Sequence, residues 1–358
     1  MMKNLLTLLL LSTVLISAAQ TLVPVDSRDF VFFEREPKKL VTHKGKDALY
    51  LNGKAFLKNI PMRDGILEVE FTASKPRSFG GFIFRASDED NYEAVYVRLH
   101  KSTNPDAIQY NPEYNGEANW QLYGEHQAFA TFNQNEWNKL RIEIRGSQLK
   151  VFLNDMTKPT LEMDNLRHEA KAGFIGFYSF LGAYFTNFRY EAFEEETPVS
   201  PLKPAKPGII GLWELSEPRL VAKVDKEQYP DISKMNWKMV KAEPSGLLPI
   251  NKYVQKGTAG SFEGNKDEIV WARHLFNSSN ATTKQFYFDY SDNIEVFLNG
   301  QLIFSGKNSF RYKGLTFRGD VRLEGNLLYL PLKEGENEIL CAVSDRANGW
   351  GLMGRLMD

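Results

Sequence analysis

The sequence predicts an all-β protein of two β-sandwich (jelly-roll) domains in tandem, and three observations carry that prediction. Short alternating apolar–polar runs recur between clusters of Gly, Asn, Asp and Pro, with no long stretch at the helical period. Aromatic residues make up 13% of the chain, including 25 Phe and 15 Tyr, which favours strands. Near the middle, Pro198, Pro201, Pro204 and Pro207 repeat at the period of a polyproline II helix, marking a stiff spacer.

The chain has 358 residues, too many for one typical domain. Its elements divide as a leader at 1–19, a first sandwich at 20–193, a proline-rich linker at 194–208 and a second sandwich at 209–358. In the leader, Lys3 supplies the positive start, 5–16 is apolar, and Ser17-Ala18-Ala19 offers the small residues of a cleavage site. The apolar run is shorter than the roughly 20 residues that span a bilayer. Cleavage before Gln20 would export the protein, secreted or periplasmic, in a bacterial setting, without a lipobox cysteine and without a membrane span.

In the first sandwich, strands are expected at 66–73, 81–86, 92–100, 139–145, 148–154, 173–178 and 183–192, with Gly146-Ser147 as a hairpin turn. In the second they are expected at 269–276, 284–289, 294–298, 301–305 and 337–344, with Asn299-Gly300 as the hairpin signal. The halves are not copies of one another.

Several function classes drop out on composition. Lys plus Arg number 44 against 45 for Asp plus Glu, so no net field gathers nucleic acid. The one cysteine, Cys341, sits in an apolar run and reads as a small buried hydrophobe. The five histidines lack zinc-site spacing, no G-x-S-x-G elbow occurs, and no Gly-rich phosphate loop follows a strand. No cofactor is implied. Ser87-Asp88-Glu89-Asp90-Asn91 could hold a structural calcium, but such acidic hairpin loops are more often only solvated.

Two stretches carry family resemblances. The runs Asp64-Gly65-Ile66-Leu67-Glu68-Val69-Glu70-Phe71, Phe79-Gly80-Gly81-Phe82-Ile83-Phe84-Arg85 and Asn91-Tyr92-Glu93-Ala94-Val95-Tyr96-Val97-Arg98 resemble the concanavalin A-like lectin/glucanase superfamily, closest to its laminin-G-like branch. The segments Ala172-Gly173-Phe174-Ile175-Gly176-Phe177 and Ala183-Tyr184-Phe185-Thr186-Asn187-Phe188-Arg189-Tyr190 resemble that family's last strands. The resemblance covers about 29–193 and implies a sandwich that elsewhere hosts lectins, hydrolases and inert spacers. It also resembles keto-disaccharide hydrolase and lyase domains, although their Asn-Gly-Lys-x-Leu-x-x-Trp signature survives only as Leu51-Asn52-Gly53-Lys54-Ala55-Phe56. Downstream, 290–304, 332–340 and the Gly349-Trp350-Gly351 ending resemble the galactose-binding-like jelly roll attached to many glycosidases. Members of that group include sugar-binding and architectural modules, so Trp350 reads as a core or rim residue before a stacking one.

The residues themselves point to a binding face. Along 92–100, Val95, Val97 and Leu99 face one way and Tyr92, Tyr96, Arg98 and His100 the other. Aromatic rings cover the apolar C–H faces of sugars while guanidinium and imidazole groups bond the hydroxyls. A loop at 106–116, with Asp106, Gln109 and Tyr110, leads to Trp120 and Gln121 and adds amides and rings. Arg85 completes the set, or else pairs with an acid across the sheet. The expected partner is an oligo- or polysaccharide bound without catalysis. A glycan hydrolase or lyase using Glu93, Asp106 or Glu113 is the alternative. Glu68 and Glu70 lack the third acid of the glucanase pattern. A structural module without a small ligand is the third reading.

Overall fold

The computed structural model describes residues 20–257 and 265–358, and the leader read at 1–19 lies outside the described residues. The first part of the chain forms a sheet of 13 antiparallel strands. These are β1 (Thr21–Val23), β2 (Phe30–His43), β3 (Lys46–Met62), β4 (Gly65–Ala73), β5 (Phe79–Ala86) and β6 (Tyr92–Arg98). They continue with β7 (Asn104–Tyr114), β8 (Glu117–Ala118), β9 (Gln127–Ala130), β10 (Asn138–Arg145), β11 (Gln148–Leu153), β12 (Leu161–Met163) and β13 (Gly173–Ala192). The main path runs β12-β11-β10-β4-β13-β5-β6-β7-β8.

The hub is β13, which pairs with β4 along one stretch, β5 along another, and also carries β3 and β1. A strand shared in this way must bend, and its register shifts between Ser179 and Ala183. Leu181 and Gly182 take positive φ there, and a Cβ on Gly182 would stand 2.6 Å from the Tyr50 hydroxyl oxygen. Curling the sheet brings Val69, Phe71, Phe82, Phe84, Val95, Val97, Ile142 and Phe177 into one buried core.

The second part has β14 (Leu212–Leu215), β15 (Arg219–Leu220), β16 (Lys238–Lys241), β17 (Leu247–Pro249), β18 (Glu268–Ser278) and β19 (Thr282–Ser291). After them come β20 (Asn293–Leu298), β21 (Gln301–Lys307), β22 (Asn326–Leu332), β23 (Gly335–Asp345) and β24 (Gly351–Met357). A seven-stranded sheet ordered β16-β14-β18-β23-β20-β21, with β15 on β18, faces a four-stranded sheet ordered β17-β24-β19-β22. Trp213, Phe286, Phe288, Val296, Cys341 and Trp350 fill the space between them. Trp350 is a core residue whose indole N–H donates to the Val343 carbonyl at 3.1 Å. Asn299 and Gly300 both take positive φ, as a two-residue hairpin turn requires.

Three expectations change. The strand at 92–100 ends at Arg98, because Leu99–Lys101 turns into a short 3₁₀ helix and removes His100 from its register. The segment 106–116 is mostly the strand β7 rather than a loop, since Ala107, Ile108 and Tyr110 find buried places that outweigh its Asn and Pro content. And 173–178 and 183–192 are one continuous strand bent at Gly182.

Residues 194–208 form neither helix nor strand, and they are pinned. The Thr197 N–H donates to Asp64 at 2.8 Å, the Ser200 N–H to the Ser147 hydroxyl at 3.2 Å, and Arg355 Nε to the Pro207 carbonyl at 2.8 Å. Beside them the halves meet, Leu122 and Tyr123 packing with Leu247, Val321, Leu323 and Met353. Among the described residues no helix is long and apolar enough to cross a membrane.

At this junction His126 stacks on Tyr123 at 5.9 Å and edge-on to Tyr110 at 5.7 Å, and its Nε2 accepts from Arg167 at 3.0 Å. Burial, then the Arg167 charge, push its pKa from 6.5 down to about 3. Glu125 reaches to 3.5 Å, but from an exposed side chain. A cation whose folded pKa is lowered supports the fold above its unfolded pKa and withdraws that support as pH falls. Thermal stability is therefore expected to drop below about pH 6.5, and His126→Gln, which keeps an acceptor for Arg167, to flatten that acid limb. Parallel melting profiles for the two proteins test this, and unchanged slopes would refute it.

Candidate functional site

The pairings across β3, β13, β5, β6 and β7 line up a transverse row of Lys54, Tyr178, Gly81, Tyr96 and Gln109. Opposed residues share a face, so these side chains stand together. One adjoining row holds Phe180, Phe79 and Arg98, and further along Tyr92 stands opposite Glu113. The apolar floor is Phe56, Ile83, Ala86, Tyr92 and Ala94, with Tyr178 packed against it. Gly81 places no side chain between the two tyrosines, and a Cβ there would lie 1.9 Å from the Val95 carbonyl oxygen.

Below the rings lies a closed polar network. Arg98 donates to the Tyr96 hydroxyl at 2.6 Å, to Gln109 Oε1 at 2.7 Å and to the Asp106 carbonyl. The Gln109 amide donates onward to the Trp120 carbonyl at 2.7 Å. From the second half, Arg318 pairs with the Asp106 carboxylate and lies over the Trp120 ring at 4.8 Å. Phe310 meets the same ring edge-on at 5.4 Å, and the Trp120 indole N–H donates to Asn348 at 3.0 Å. Gln121 donates to the carbonyls of Arg318 and Gly319 at 3.0 and 3.2 Å.

The face is accordingly less open than strand alternation suggested. Tyr92, Tyr96, Arg98, Asp106, Gln109 and Gln121 are buried, some under neighbouring rings and some under the segment 308–320. Solvent reaches Phe79, Glu113, Trp120, Tyr178 and Phe180, which are half-buried, and His100 and Arg35, which are exposed. Arg85 and Tyr110 are not part of this assembly. Arg85 is the structural arginine of the second reading, donating to Asp64 at 3.0 Å and to the Gly146 carbonyl. Tyr110 points into the core on the other face of β7, where its hydroxyl meets Glu93.

The acids sort themselves by surroundings. Glu93 is fully buried and accepts from Tyr110 and the His168 N–H at 2.8 Å, a structural position. Burial works against ionised Asp106, but Lys101 at 3.0 Å and the Arg98 and Arg318 charges hold its pKa below the usual range. Glu113 goes the other way: burial raises its pKa against the pull of Lys54 and Arg35. Glu68 and Glu70 lie on β4, around a cavity of about 440 Å³ with Arg141 and Arg189, and pair with Lys139 and Lys46. In the 87–91 loop, Asp88 accepts from Ser87, Asn91 and the Asp90 N–H within its own turn. Among the described residues no group of His, Cys, Asp and Glu is placed to hold a metal ion.

The sequence reading missed Tyr178, Phe79 and Phe180 as site residues; Tyr178 ends an expected strand, while Phe79 and Phe180 fall just outside the expected bounds and join the row because β5 and β13 run further. Arg318, Phe310 and Asn348 had no signal at all, being some 200 residues distant from the groups they touch.

A comparison with known families bears on this face. Residues 43–190 match the model of a 3-keto-alpha-glucoside-1,2-lyase-like domain. That carbohydrate-related match takes in Lys54, Tyr96, Arg98, Glu113, Trp120 and Tyr178, and the Leu51–Phe56 echo noted above, but less than half of the chain. No curated protein matches. Among solved structures, a carbohydrate-binding module from Bacillus subtilis shows 16% identity over 46% of this chain and 96% of its own, at a TM-score of 0.36. A Bacillus licheniformis β-glucanase shows 11% identity over 50% of this chain and 100% of its own, also at 0.36. A putative glycosyl hydrolase from Parabacteroides distasonis shows 10% identity over 46% and 89%, at 0.33. These are likenesses of fold alone.

Proposed function

We propose that this chain is an exported carbohydrate-binding protein that holds sugar rings against Tyr178, Phe79, Phe180 and Trp120. The observation that carries the proposal is the row of half-buried rings set beside polar groups already fixed by their own network. Aromatic surface left accessible next to immobilised donors and acceptors is what a pyranose needs, because little side-chain freedom is lost on binding. The match of 43–190 to a carbohydrate-related domain supports the same reading. We read 20–193 and 209–358 as two domains joined at 194–208, with 308–320 of the second forming one wall of the site. Export rests on the leader at 1–19, and an N-terminus at Gln20 in the mature protein is its test.

A second reading, a glycan-active enzyme, is favoured by Glu113. A carboxyl whose pKa burial raises is shifted in the direction a general acid needs, and the matched family model is named for a lyase. One experiment separates the two. The full chain is screened against a polysaccharide and 3-keto-glucoside panel by affinity electrophoresis, and every hit is analysed for products. Binding without products, unaltered in Glu113→Gln, supports the binding protein. Products that vanish in Glu113→Gln with affinity retained support the enzyme. Absence of any hit supports a structural module and defeats both.

A further inference from the structure

The rim of this face carries arginines that the fold does not otherwise employ. Arg35 lies over the Phe180 ring at 5.0 Å, Arg77 over Phe79 at 5.7 Å and Arg311 over Phe310 at 4.9 Å. All three are exposed, and none is in an ion pair among the described residues. Their platform rings continue into the site. Phe180 and Phe79 are 5.7 Å apart, Phe79 is 6.4 Å from Tyr96 and 4.9 Å from His100, and Phe310 is 5.4 Å from Trp120. Free guanidinium groups thus flank the row at its β13–β5 end and again at its 308–320 end.

The contrast with Arg98 and Arg318 is informative. Those two also lie over rings, Tyr96 and Trp120, but their charge is met by Asp106 and Asp320. Arg35 interacts electrostatically with Glu113 but makes no ion pair with it, while its sequence neighbours Glu34 and Glu36 are paired with Lys38 and Lys75. The rim is therefore locally cationic in a chain whose formal net charge is -1. A guanidinium lying on an aromatic face is held in place while its N–H edge stays open, the arrangement that binds a carboxylate or sulfate in bidentate fashion.

We propose that the saccharide bound here is anionic, carrying carboxylate or sulfate groups spaced along its chain. The proposal rests on the saccharide-binding reading. Its rings stack on Phe79, Tyr178 and Trp120 while its charges meet Arg35 and Arg77 on one side and Arg311 on the other.

The test is calorimetry of the full chain with an oligogalacturonate, the same oligomer methyl-esterified, a sulfated galactan oligosaccharide and a cello-oligosaccharide. One of the charged probes is expected to bind at least about tenfold more tightly than the neutral ones at about 50 mM salt and to lose most of that margin at about 300 mM. Whichever probe does so distinguishes uronate from sulfate. The triple variant Arg35→Gln, Arg77→Gln, Arg311→Gln should melt as the parent does and lose the preference. Equal or tighter binding of a neutral probe, or a preference that survives the triple variant, overturns the proposal. In that case loss of neutral binding in Tyr178→Ala leaves the saccharide site standing. Failure of all four probes overturns the anionic proposal, and the saccharide-binding reading falls with it only if the polysaccharide and 3-keto-glucoside panel also gives no hit.

Discussion

Tyr178→Ala is expected to weaken saccharide binding by about 30-fold or more, the loss typical of a central aromatic anchor worth about 2 kcal/mol. Tyr178 stands second in the transverse row, between Lys54 and Gly81, packed on the floor of Phe56, Ile83, Tyr92 and Ala94, yet half-buried rather than sealed. Gly81 contributes no side chain beside its ring. Tyr178→Phe keeps the plane and removes only the hydroxyl, so it should retain most of the affinity. Calorimetric titration of the three proteins measures the effect. Parent-like binding by Tyr178→Ala, with its melting curve still cooperative, would take the sugar off this face.

The largest expected loss of stability comes from Lys256→Met. Lys256 is buried with its ammonium against Asp345, 3.7 Å from Glu117 and over the Trp350 ring at 5.4 Å. It also donates to the Arg346 carbonyl at 2.9 Å, while Asn265 bridges Glu117 and the same carbonyl, each at 2.9 Å. One cation therefore compensates a carboxylate from β8 and another from β23, tying the two halves together. Removing it leaves those acids buried without a counter-charge, which costs about 3–5 kcal/mol.

The pH dependence gives this prediction a signature. Burial raises the pKa values of Asp345 and Glu117 above their ordinary ranges even with Lys256 present, and the neighbouring Asp292 is raised likewise. An acid with a raised folded pKa favours the fold at low pH and disfavours it as pH climbs through that value. Lys256→Met should accordingly be close to the parent at about pH 4 and far less stable at about pH 8. Adding Asp345→Asn should recover part of the alkaline loss. Urea unfolding at the two pH values measures both, and a pH-independent deficit would contradict the ion-cluster account.

Much of the fold was legible because strand alternation and turn chemistry are local. The runs around Ile66 and Val151 alternate, those around Trp271 and Ile339 are continuous apolar stretches of strand length, and Asn299-Gly300 is a hairpin turn signal. Strand β2 was not legible, because most of its residues face solvent and its Glu-Arg-Glu-Pro-Lys-Lys stretch has no apolar face to read. Strand β7 was hidden by composition, its Pro105, Asn111 and Pro112 imitating a loop. At the site, the even spacing of Tyr92, Tyr96 and Arg98 placed them on one face correctly. Whether that face is open or covered depends on Arg318, Phe310 and Asn348, whose approach is a tertiary event with no local signal. Tyr110 was misplaced for a simpler reason. Once 106–116 is a strand, Gln109 and Tyr110 must face opposite ways, and only Gln109 reaches the row.

The most direct test of the saccharide face is a crystal structure of the full chain with its best-binding oligosaccharide. Sugar density is expected over Tyr178 and Phe79, ending against Trp120, with Arg35, Arg77 or Arg311 at its charged groups. Density at the Glu68–Glu70 cavity on β4, or in the roughly 1100 Å³ cavity between Arg167, Pro201 and Arg322, with the Tyr178 face empty, would contradict it.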